Sequence, residues 1–301
     1  MPIITIANQK GGCGKTTTAI SLAAALAAND RKVLLIDLDP QAHASLGLNV
    51  ESQESIYNCI SKLTPRKLHI QDIIQRVDDG FDLVPSNILL GTLEQELTDE
   101  IGRELKLTES LQPIKDNYDY ILIDCPPHLG FLSINSIRAS DLVIVPVEPS
   151  RFAMHGLERL IDIVNLIRER LSHPVNYRVL ITMFDSRLRH SFVMLEEIRR
   201  KHSQNLFNSI IHSNVKFKEA AQNGKSVIVT INIAAEPRIT ILSPKNCYAI
   251  IMIQELFLSL CPVGCKEHFK IMWRALFRRH LSSSHRERNR FMSRVPLMNG
   301  P

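Results

Sequence analysis

The chain has 301 residues, of which 45% are hydrophobic and 22% charged, so it has the composition of a folded globular protein and not of a disordered one. No apolar run approaches the ~18 residues that a membrane-spanning helix needs, and the N-terminus lacks the basic region and cleavage site of a signal peptide. We therefore expect a cytoplasmic protein. Its six cysteines are too scattered for a disulfide framework, and a metal site built from them is poorly supported.

The net charge of +5 is unevenly distributed along the chain. Residues 266–301 contain nine Lys or Arg and two Glu, so this segment carries +7 and the remainder of the chain −2. We therefore divide the chain into a main domain over residues 1–260 and a basic tail over residues 261–301, which we expect to be helical or disordered.

Short, continuous apolar runs alternate with segments of helical character. Strands that are apolar on both faces and alternate with helices are typical of the α/β class, with a doubly wound, mostly parallel sheet and helices on both faces. The predicted strands are Ile3–Ala7, Val33–Ile36, Leu83–Val84, Ile121–Ile123, Leu142–Val145 and Val179–Ile181. The predicted helices are Thr16–Ala28, Leu89–Gln112, Phe131–Arg138, Met154–Leu171 and Ser191–His202.

A glycine-rich stretch, Lys10–Thr16, follows the first predicted strand and opens an alanine-rich helix. It is a variant of the phosphate-loop pattern GxxxxGKT, because Gln9 stands where the first glycine belongs. Glycines let backbone N–H groups surround phosphate oxygens, and the helix N-terminus adds a favourable dipole. We expect Lys15 on the β- and γ-phosphates, Thr16 on Mg²⁺ and Thr17 near the α-phosphate. The other predicted nucleotide-binding residues are Gly11, Gly12, Cys13 and Gly14.

Two predicted strands end in aspartates: Asp37 and Asp39 follow one, and Asp124 ends another. A single such acid is often an ordinary strand-end or capping residue. In parallel sheets, however, ligands bind at the carboxyl ends of the strands, and these acids lie downstream of a phosphate loop. The pattern favours a role for them beside a bound nucleotide.

These motifs resemble those of the ParA/MinD family of deviant Walker-A ATPases, and most of all the small, Soj-like ParA partition ATPases. The resemblance runs from Met1 to about Val229. The run "DPQ" after the second strand is similar to ParA, whereas MinD-type proteins carry a different run there. The stretches that carry the resemblance are "KGGCGKTTT", "VLLIDLDPQAHAS", "YDYILIDCPPHLG", "TMFDSRLRH" and "NVKFKEAAQNGKSVI".

The resemblance implies that the chain hydrolyses ATP to ADP and phosphate, slowly unless stimulated, with Mg²⁺ as its metal. It implies that Lys10 is a signature lysine that reaches the nucleotide of a second subunit, so that ATP drives formation of a homodimer. Asp39 matches the residue that positions the attacking water, and Asp37 lies close to the magnesium. Asp124 matches the Walker-B acid, which holds Mg²⁺ through water, and Asn214 falls in the region that recognises the base.

The resemblance also implies partners. Members act in chromosome or plasmid partitioning, bind DNA without sequence preference on the nucleoid, and are stimulated by a ParB-like activator. Relatives often carry "PRNVRLSEAP" where this chain has "HSNVKFKEAA", so part of the expected basic surface is altered. The remaining candidates for phosphate contacts, which could also be an ordinary solvated face, are Arg187, Arg189, Lys216, Lys218 and Lys225.

The resemblance ends near Val229, and the basic tail resembles nothing that we can place. Along a helix, Phe269, Trp273 and Leu276 would share one face, with basic residues on its flank. Such a helix could pack on its own domain, bind nucleic acid, or lie on a membrane surface. This leaves a second hypothesis open, a MinD-like positioning ATPase that works at a membrane or on a protein scaffold. A metabolic synthetase of the same fold has no substrate motif in its favour.

Overall fold

The computed structural model describes residues 1–213, apart from the side chains of residues 151 and 152. Eight strands in this part form one sheet in the order β3-β4-β2-β5-β1-β6-β7-β8. All neighbouring pairs are parallel except β3 and β4. The strands are β1 (Ile3–Ile6), β2 (Val33–Asp37), β3 (Gln75–Arg76), β4 (Asp82–Val84), β5 (Tyr120–Asp124), β6 (Leu142–Val147), β7 (Asn176–Phe184) and β8 (Leu206–His212).

Helices connect these strands. The α-helices are α1 (Lys15–Ala27), α2 (His43–Gly47), α3 (Ile56–Ile60), α4 (Leu93–Glu96), α5 (Lys106–Leu111), α6 (Phe131–Ala139), α7 (Arg151–Arg170) and α8 (Arg189–His202). Short 3-10 helices span Ile70–Ile73, Ile88–Thr92, Arg103–Leu105, Gln112–Asn117 and Ser203–Asn205. None of the helices in the described part is long and apolar enough to cross a membrane.

The core consists of two apolar layers, one on each face of the sheet. Side chains of successive strand residues point to opposite faces, so Ile3 joins one layer while Ile4 and Ile6 join the other. The layer with Ile4 also contains most of α1, and the opposite layer contains residues of α3, α5, α6 and α7. The α/β class with a mostly parallel, doubly wound sheet is therefore confirmed.

The predicted helix Leu89–Gln112 is wrong. The chain there forms α4 and α5 with separate 3-10 turns, and Gly102 between them has a φ of 75°. A left-handed residue ends a helix, because the following backbone leaves the helical path. Strands β3 and β8 were not predicted. Residues 214–301, which include the whole basic tail and the end of the predicted main domain, lie outside the described part.

Strand β1 lies between β5 and β6, with β2 beyond β5. In register, Asp124 of β5 pairs with Ile6 of β1 on one side and with Asp37 of β2 on the other. The loop after β1 and the two strand-end aspartates therefore meet at the carboxyl edge of the sheet. Ligands of such sheets bind at this edge, at the point where the order of the strands reverses.

Candidate nucleotide-binding site

The loop between β1 and α1 is shaped by two left-handed glycines. Gly12 has a φ of 69° and Gly14, which precedes α1, a φ of 88°, which other L-residues rarely adopt. A Cβ at Gly11 or Gly12 would meet no atom within 4 Å, so this part of the loop borders open space. No side chain caps the N-terminus of α1, and its first turn contains no acid. The loop and helix end thus offer unpaired N–H groups to an anion.

Lys15 lies over this loop. It is only 7% exposed, and its Nζ donates a hydrogen bond to the carbonyl oxygen of Lys10 at 3.2 Å. Cys13 turns its thiol inward, where burial raises the thiol pKa, and its own carbonyl accepts a hydrogen bond from Thr182 at 2.8 Å. The thiol is therefore a packing group, whereas the loop backbone and the Lys15 ammonium are the groups suited to bind phosphate. Thr16 is half-buried and Thr17 exposed, both in the first turn of α1.

Lys10 is bound within its own chain. Its Nζ forms an ion pair with the Glu148 carboxylate and donates to the Ser150 hydroxyl at 3.2 Å, both beyond the end of β6. Buried Asn8 supports this arrangement, because its Oδ1 accepts the Lys10 N–H at 3.1 Å while its Nδ2 donates to the Pro146 carbonyl at 2.6 Å. The sequence did not single out Asn8, Glu148 or Ser150. Only an asparagine just before the glycine run could have drawn attention to the first.

Asp124 is fully buried, and within residues 1–213 neither of its carboxylate oxygens has a hydrogen-bond partner. Burial, followed by the nearby charge of Asp37, raises its pKa well above the usual carboxyl range. The Thr16 hydroxyl and the Lys15 ammonium act in the opposite direction. A buried carboxylate without a partner is costly, and a cation beside it removes that cost. Asp124 and Thr16 thus suit a site for Mg²⁺, which binds oxygen ligands and retains several of its waters.

Both carboxylate oxygens of Asp37 accept hydrogen bonds from the chain that follows β2. Its Oδ1 accepts the Asp39 N–H at 3.1 Å, and its Oδ2 accepts both the N–H and the hydroxyl of Ser45 at 2.8 Å. Burial raises its pKa to about 6, against the effect of these hydrogen bonds. Both oxygens therefore hold the chain that follows β2. The placement of Asp37 beside the magnesium stays a prediction, and in the structure its oxygens serve the backbone turn.

Asp39 lies in the turn after β2 and is 6% exposed. Its Oδ1 accepts the Gln41 N–H at 3.0 Å, and its Oδ2 lies 4.0 Å from His43 Nδ1. Its backbone carbonyl accepts a hydrogen bond from the Ser86 hydroxyl. The side chain is thus oriented by its own turn, and the backbone is held by Ser86, which follows the neighbouring strand β4.

The predicted DNA-binding residues divide into three groups. Arg187 is highly exposed but makes a two-point ion pair with Asp185, at 2.9 and 2.7 Å. Arg189 begins α8 and is exposed, and no ion pair to it occurs within residues 1–213. Outside the described residues lie Lys216, Lys218 and Lys225, together with the predicted base-contacting Asn214.

Comparison with known proteins identifies similar chains. A family model described as an AAA domain, AAA_31, matches residues 1–179. The sporulation initiation inhibitor protein Soj of Bacillus subtilis is 39% identical over 229 residues, which are 75% of this chain and 90% of that protein.

Two solved structures extend the comparison. A putative plasmid partition protein from Borrelia burgdorferi, bound to AMPPNP, is 29% identical with a TM-score of 0.63, covering 77% of this chain and 96% of that one. Cobyrinic acid a,c-diamide synthase from Mycobacterium smegmatis, with a bound ATP analogue and magnesium, is 28% identical with a TM-score of 0.66, covering 78% of this chain and 97% of that one. The shared fold thus occurs both in a partition protein and in a synthase.

Proposed function

Because the chain belongs to the ParA/Soj family of P-loop ATPases, we propose that it is an ATP-dependent dimerisation switch that acts in chromosome or plasmid partitioning. The observation that carries the proposal is that a glycine loop with two lysines lies beside a buried carboxylate without a hydrogen-bond partner. Lys10 and Lys15 flank the open glycine backbone, and Asp124 lies beside the same loop. A loop built only for binding phosphate within one chain needs Lys15 but has no use for Lys10.

Nucleotide binding rests on the loop and on α1. The N–H groups around Gly11–Gly14 and the N-terminus of α1 receive the phosphates, and Lys15 neutralises their charge. ATP is the nucleotide, and the partition protein from Borrelia burgdorferi with its bound AMPPNP supports this choice. Thr16 and Asp124 would hold Mg²⁺, the latter through water, and the metal would neutralise charge on the phosphate oxygens.

Hydrolysis requires little covalent chemistry from the protein, so its rate depends on positioning and charge. Asp39 orients the attacking water from the turn after β2. Its carboxylate is held by the Gln41 N–H and its backbone by Ser86, which keeps one oxygen available toward the carboxyl edge of the sheet. Lys15 stabilises the negative charge that develops on the phosphates.

Dimerisation involves an exchange of partners by Lys10. In the single chain its ammonium contacts Glu148 and Ser150. In the dimer it contacts the phosphates of the second subunit's ATP, so that the nucleotide becomes part of the interface. An exposed ion pair is worth at most about 1 kcal/mol, so the contact with Glu148 opposes this exchange only weakly. Removal of the γ-phosphate removes part of the bridge and returns the protein to single chains.

The proposed partner of the dimer is the DNA of the nucleoid, and the proposed activator of its ATPase is a ParB-like protein. The support comes from the similarity to a putative plasmid partition protein and from the exposed Arg189 at the start of α8. A dimer carries twice as many basic residues as the single chain, and the contributions of contacts to DNA phosphates add together. The ATP-bound dimer should therefore bind DNA more tightly than the single chain, without sequence preference.

Co-sedimentation separates this function from a MinD-like one. The full chain with Mg²⁺ and ATP should sediment with DNA of unrelated sequences and not with anionic liposomes, and ADP or Lys15→Ala should abolish the effect. Removal of residues 266–301 tests the basic tail in the same assay. Loss of DNA binding with intact ATPase activity assigns DNA contacts to the tail. ATP-dependent binding to liposomes, with none to DNA, contradicts the proposed function.

A further inference from the structure

Three buried side chains hold the backbone of Asp39 in a closed ring of hydrogen bonds, which we call the Asp39 clamp. Asp37 accepts from the Asp39 N–H and from the Ser45 hydroxyl. The Ser45 hydroxyl in turn accepts the Ser86 N–H at 3.2 Å, and the Ser86 hydroxyl donates to the Asp39 carbonyl. The clamp therefore makes hydrogen bonds to both backbone groups of Asp39, its N–H and its carbonyl.

The donors and acceptors of the Asp39 clamp match without conflict. A serine hydroxyl has one proton, and each of these two serines donates its proton to one acceptor in the ring. Ser45 and Ser86 are 2% and 5% exposed, so water cannot readily replace a lost bond. Removal of the Ser45 hydroxyl leaves the buried Ser86 N–H without its acceptor. Removal of the Ser86 hydroxyl leaves the Asp39 carbonyl with the Ala42 N–H of its own turn, at 2.8 Å, and without its link to the segment after β4. Either change therefore opens the ring and loosens the turn.

The clamp joins β2 and the nearby helix α2 to the segment after β4, about 40 residues further along the chain. Asp37 ends β2, Ser45 lies in α2, and Ser86 follows β4, whose Val84 pairs with Ile36 of β2. Beyond Ser86, the 3-10 helix Ile88–Thr92 packs on the same turn, because a Cβ at Gly91 would lie 3.9 Å from Pro40 Cβ. The segment after β4 thus supports the Asp39 turn at two points, through Ser86 and through the 3-10 helix. Lys15 and the glycine loop make none of the clamp's hydrogen bonds.

We infer that Ser86, with Ser45, is a positioning residue for ATP hydrolysis, acting through the backbone of Asp39. The inference rests on the proposed role of Asp39. A water-orienting carboxylate must be placed to within a fraction of an ångström, since a misplacement of about 1 Å can reduce a rate about 100-fold. The clamp supplies that placement, and it leaves the phosphate-binding groups untouched.

Steady-state kinetics of the full chain test this inference. Ser86→Ala should lower kcat about 10-fold or more and leave the KM for ATP within about twofold, because the lost contact serves the transition state and not ground-state binding. Ser45→Ala should behave alike. The double variant should be no slower than the slower single variant, since the ring is already open after one loss.

Ser140→Ala is the matched control. Ser140 is also a fully buried serine that donates to a backbone carbonyl, that of Ser136, but it precedes β6 and so lies at the opposite edge of the sheet. It should lower Tm about as much as Ser86→Ala and leave kcat unchanged. An equal fall of kcat in both variants would mean general destabilisation and would overturn the inference. So would wild-type kcat in Ser86→Ala, or a raised KM with kcat unchanged.

Asp39→Ala separates this inference from the proposed function. Normal hydrolysis by Asp39→Ala removes the water-orienting role on which the clamp depends, and the proposed mechanism fails with it. If Asp39→Ala binds ATP but hydrolyses it poorly while Ser86→Ala and Ser45→Ala remain fully active, the mechanism stands and the positioning role is wrong.

Discussion

Lys10 and Glu148 form an ion pair that joins the loop after β1 to the segment after β6, across 138 residues of sequence. Both side chains are partly exposed, at 30% and 38%, so solvent weakens their attraction. The same ammonium also contacts the Ser150 hydroxyl. The proposed dimer needs this lysine elsewhere, so the ion pair competes with association.

Glu148→Gln should therefore ease dimerisation. Loss of an exposed ion pair worth up to about 1 kcal/mol corresponds to an approximately fivefold lower ATP concentration at the midpoint of dimer formation. Light scattering during an ATP titration measures this midpoint. Glu158→Gln, which removes a comparably exposed pair with Lys201, is the control and should not shift it. A higher midpoint in Glu148→Gln would show that Glu148 supports the dimer and does not restrain it.

The two lysines of the loop should separate binding from association. Lys15→Ala should abolish ATP binding, because its ammonium is the buried charge over the loop. Lys10→Ala should retain ATP binding and remain a single chain. Equilibrium binding of a fluorescent ATP analogue and light scattering measure the two properties. An ATP-bound dimer of Lys10→Ala contradicts the proposed exchange of partners.

Asp124→Asn should have opposite effects in the two nucleotide states. Without nucleotide, it removes an unpartnered buried charge and should raise the free energy of unfolding by roughly 1–3 kcal/mol. With Mg²⁺ and ATP, the variant should gain less stability than the wild type, since it offers the metal a neutral oxygen. Thermal unfolding with and without Mg²⁺ and ATP measures both effects. Equal stabilisation of the two proteins by Mg²⁺ and ATP would remove Asp124 from the metal site.

Charge reversal should distinguish the two described arginines of the proposed DNA surface. Arg189→Glu should weaken binding to every sequence alike and, if one phosphate contact is lost, reduce the slope of log K against log salt by about 1. Arg187→Glu, with the same change of charge, should have a smaller effect, because Asp185 already neutralises the charge of Arg187. Fluorescence anisotropy with unrelated duplexes over a salt series measures these changes. Unaltered binding by Arg189→Glu places the DNA contacts elsewhere.

The state of Arg187 can be checked independently. Its guanidinium and N–H hold the pKa of Asp185 at about 2, below the usual carboxyl range. In Arg187→Ala the pKa of Asp185 should rise toward the ordinary value, because the side-chain partner is gone. NMR titration of the Asp185 carboxyl measures it. An unchanged pKa means that the ion pair does not persist in solution, and Arg187 is then as available to DNA as Arg189.

Local pattern was sufficient to predict six of the eight described strands and the glycine loop that follows the first of them. The six predicted strands were short, mainly apolar runs, and the glycine loop lay between a strand and a helix, so strand pattern and turn chemistry agreed. The same reasoning was wrong over Leu89–Gln112, which was predicted to be one helix because of its helical character. Gly102 and the separate turns around it divide that segment.

Long-range contacts were beyond the sequence. Ser86 lies 47 residues from Asp39, and Glu148 lies 138 residues from Lys10. Only the order of the strands brings each pair together, and neither serine nor glutamate stood out by type or spacing. The hydrogen bonds between Asp37 and Ser45 were not foreseen for the same reason, since they depend on how the chain turns after β2.

Helix α1 has a further consequence, because every residue from Thr18 to Leu26 is buried. A helix enclosed on all sides in small, close-packed side chains has no free face along which to slide or rotate. The phosphates are thus received by a part of the molecule that stays fixed to the sheet. We therefore expect the difference between ATP and ADP to appear in the surrounding connections after β2, β5 and β6. Engineered reporters of nucleotide state belong on those connections, with α1 as their stationary reference.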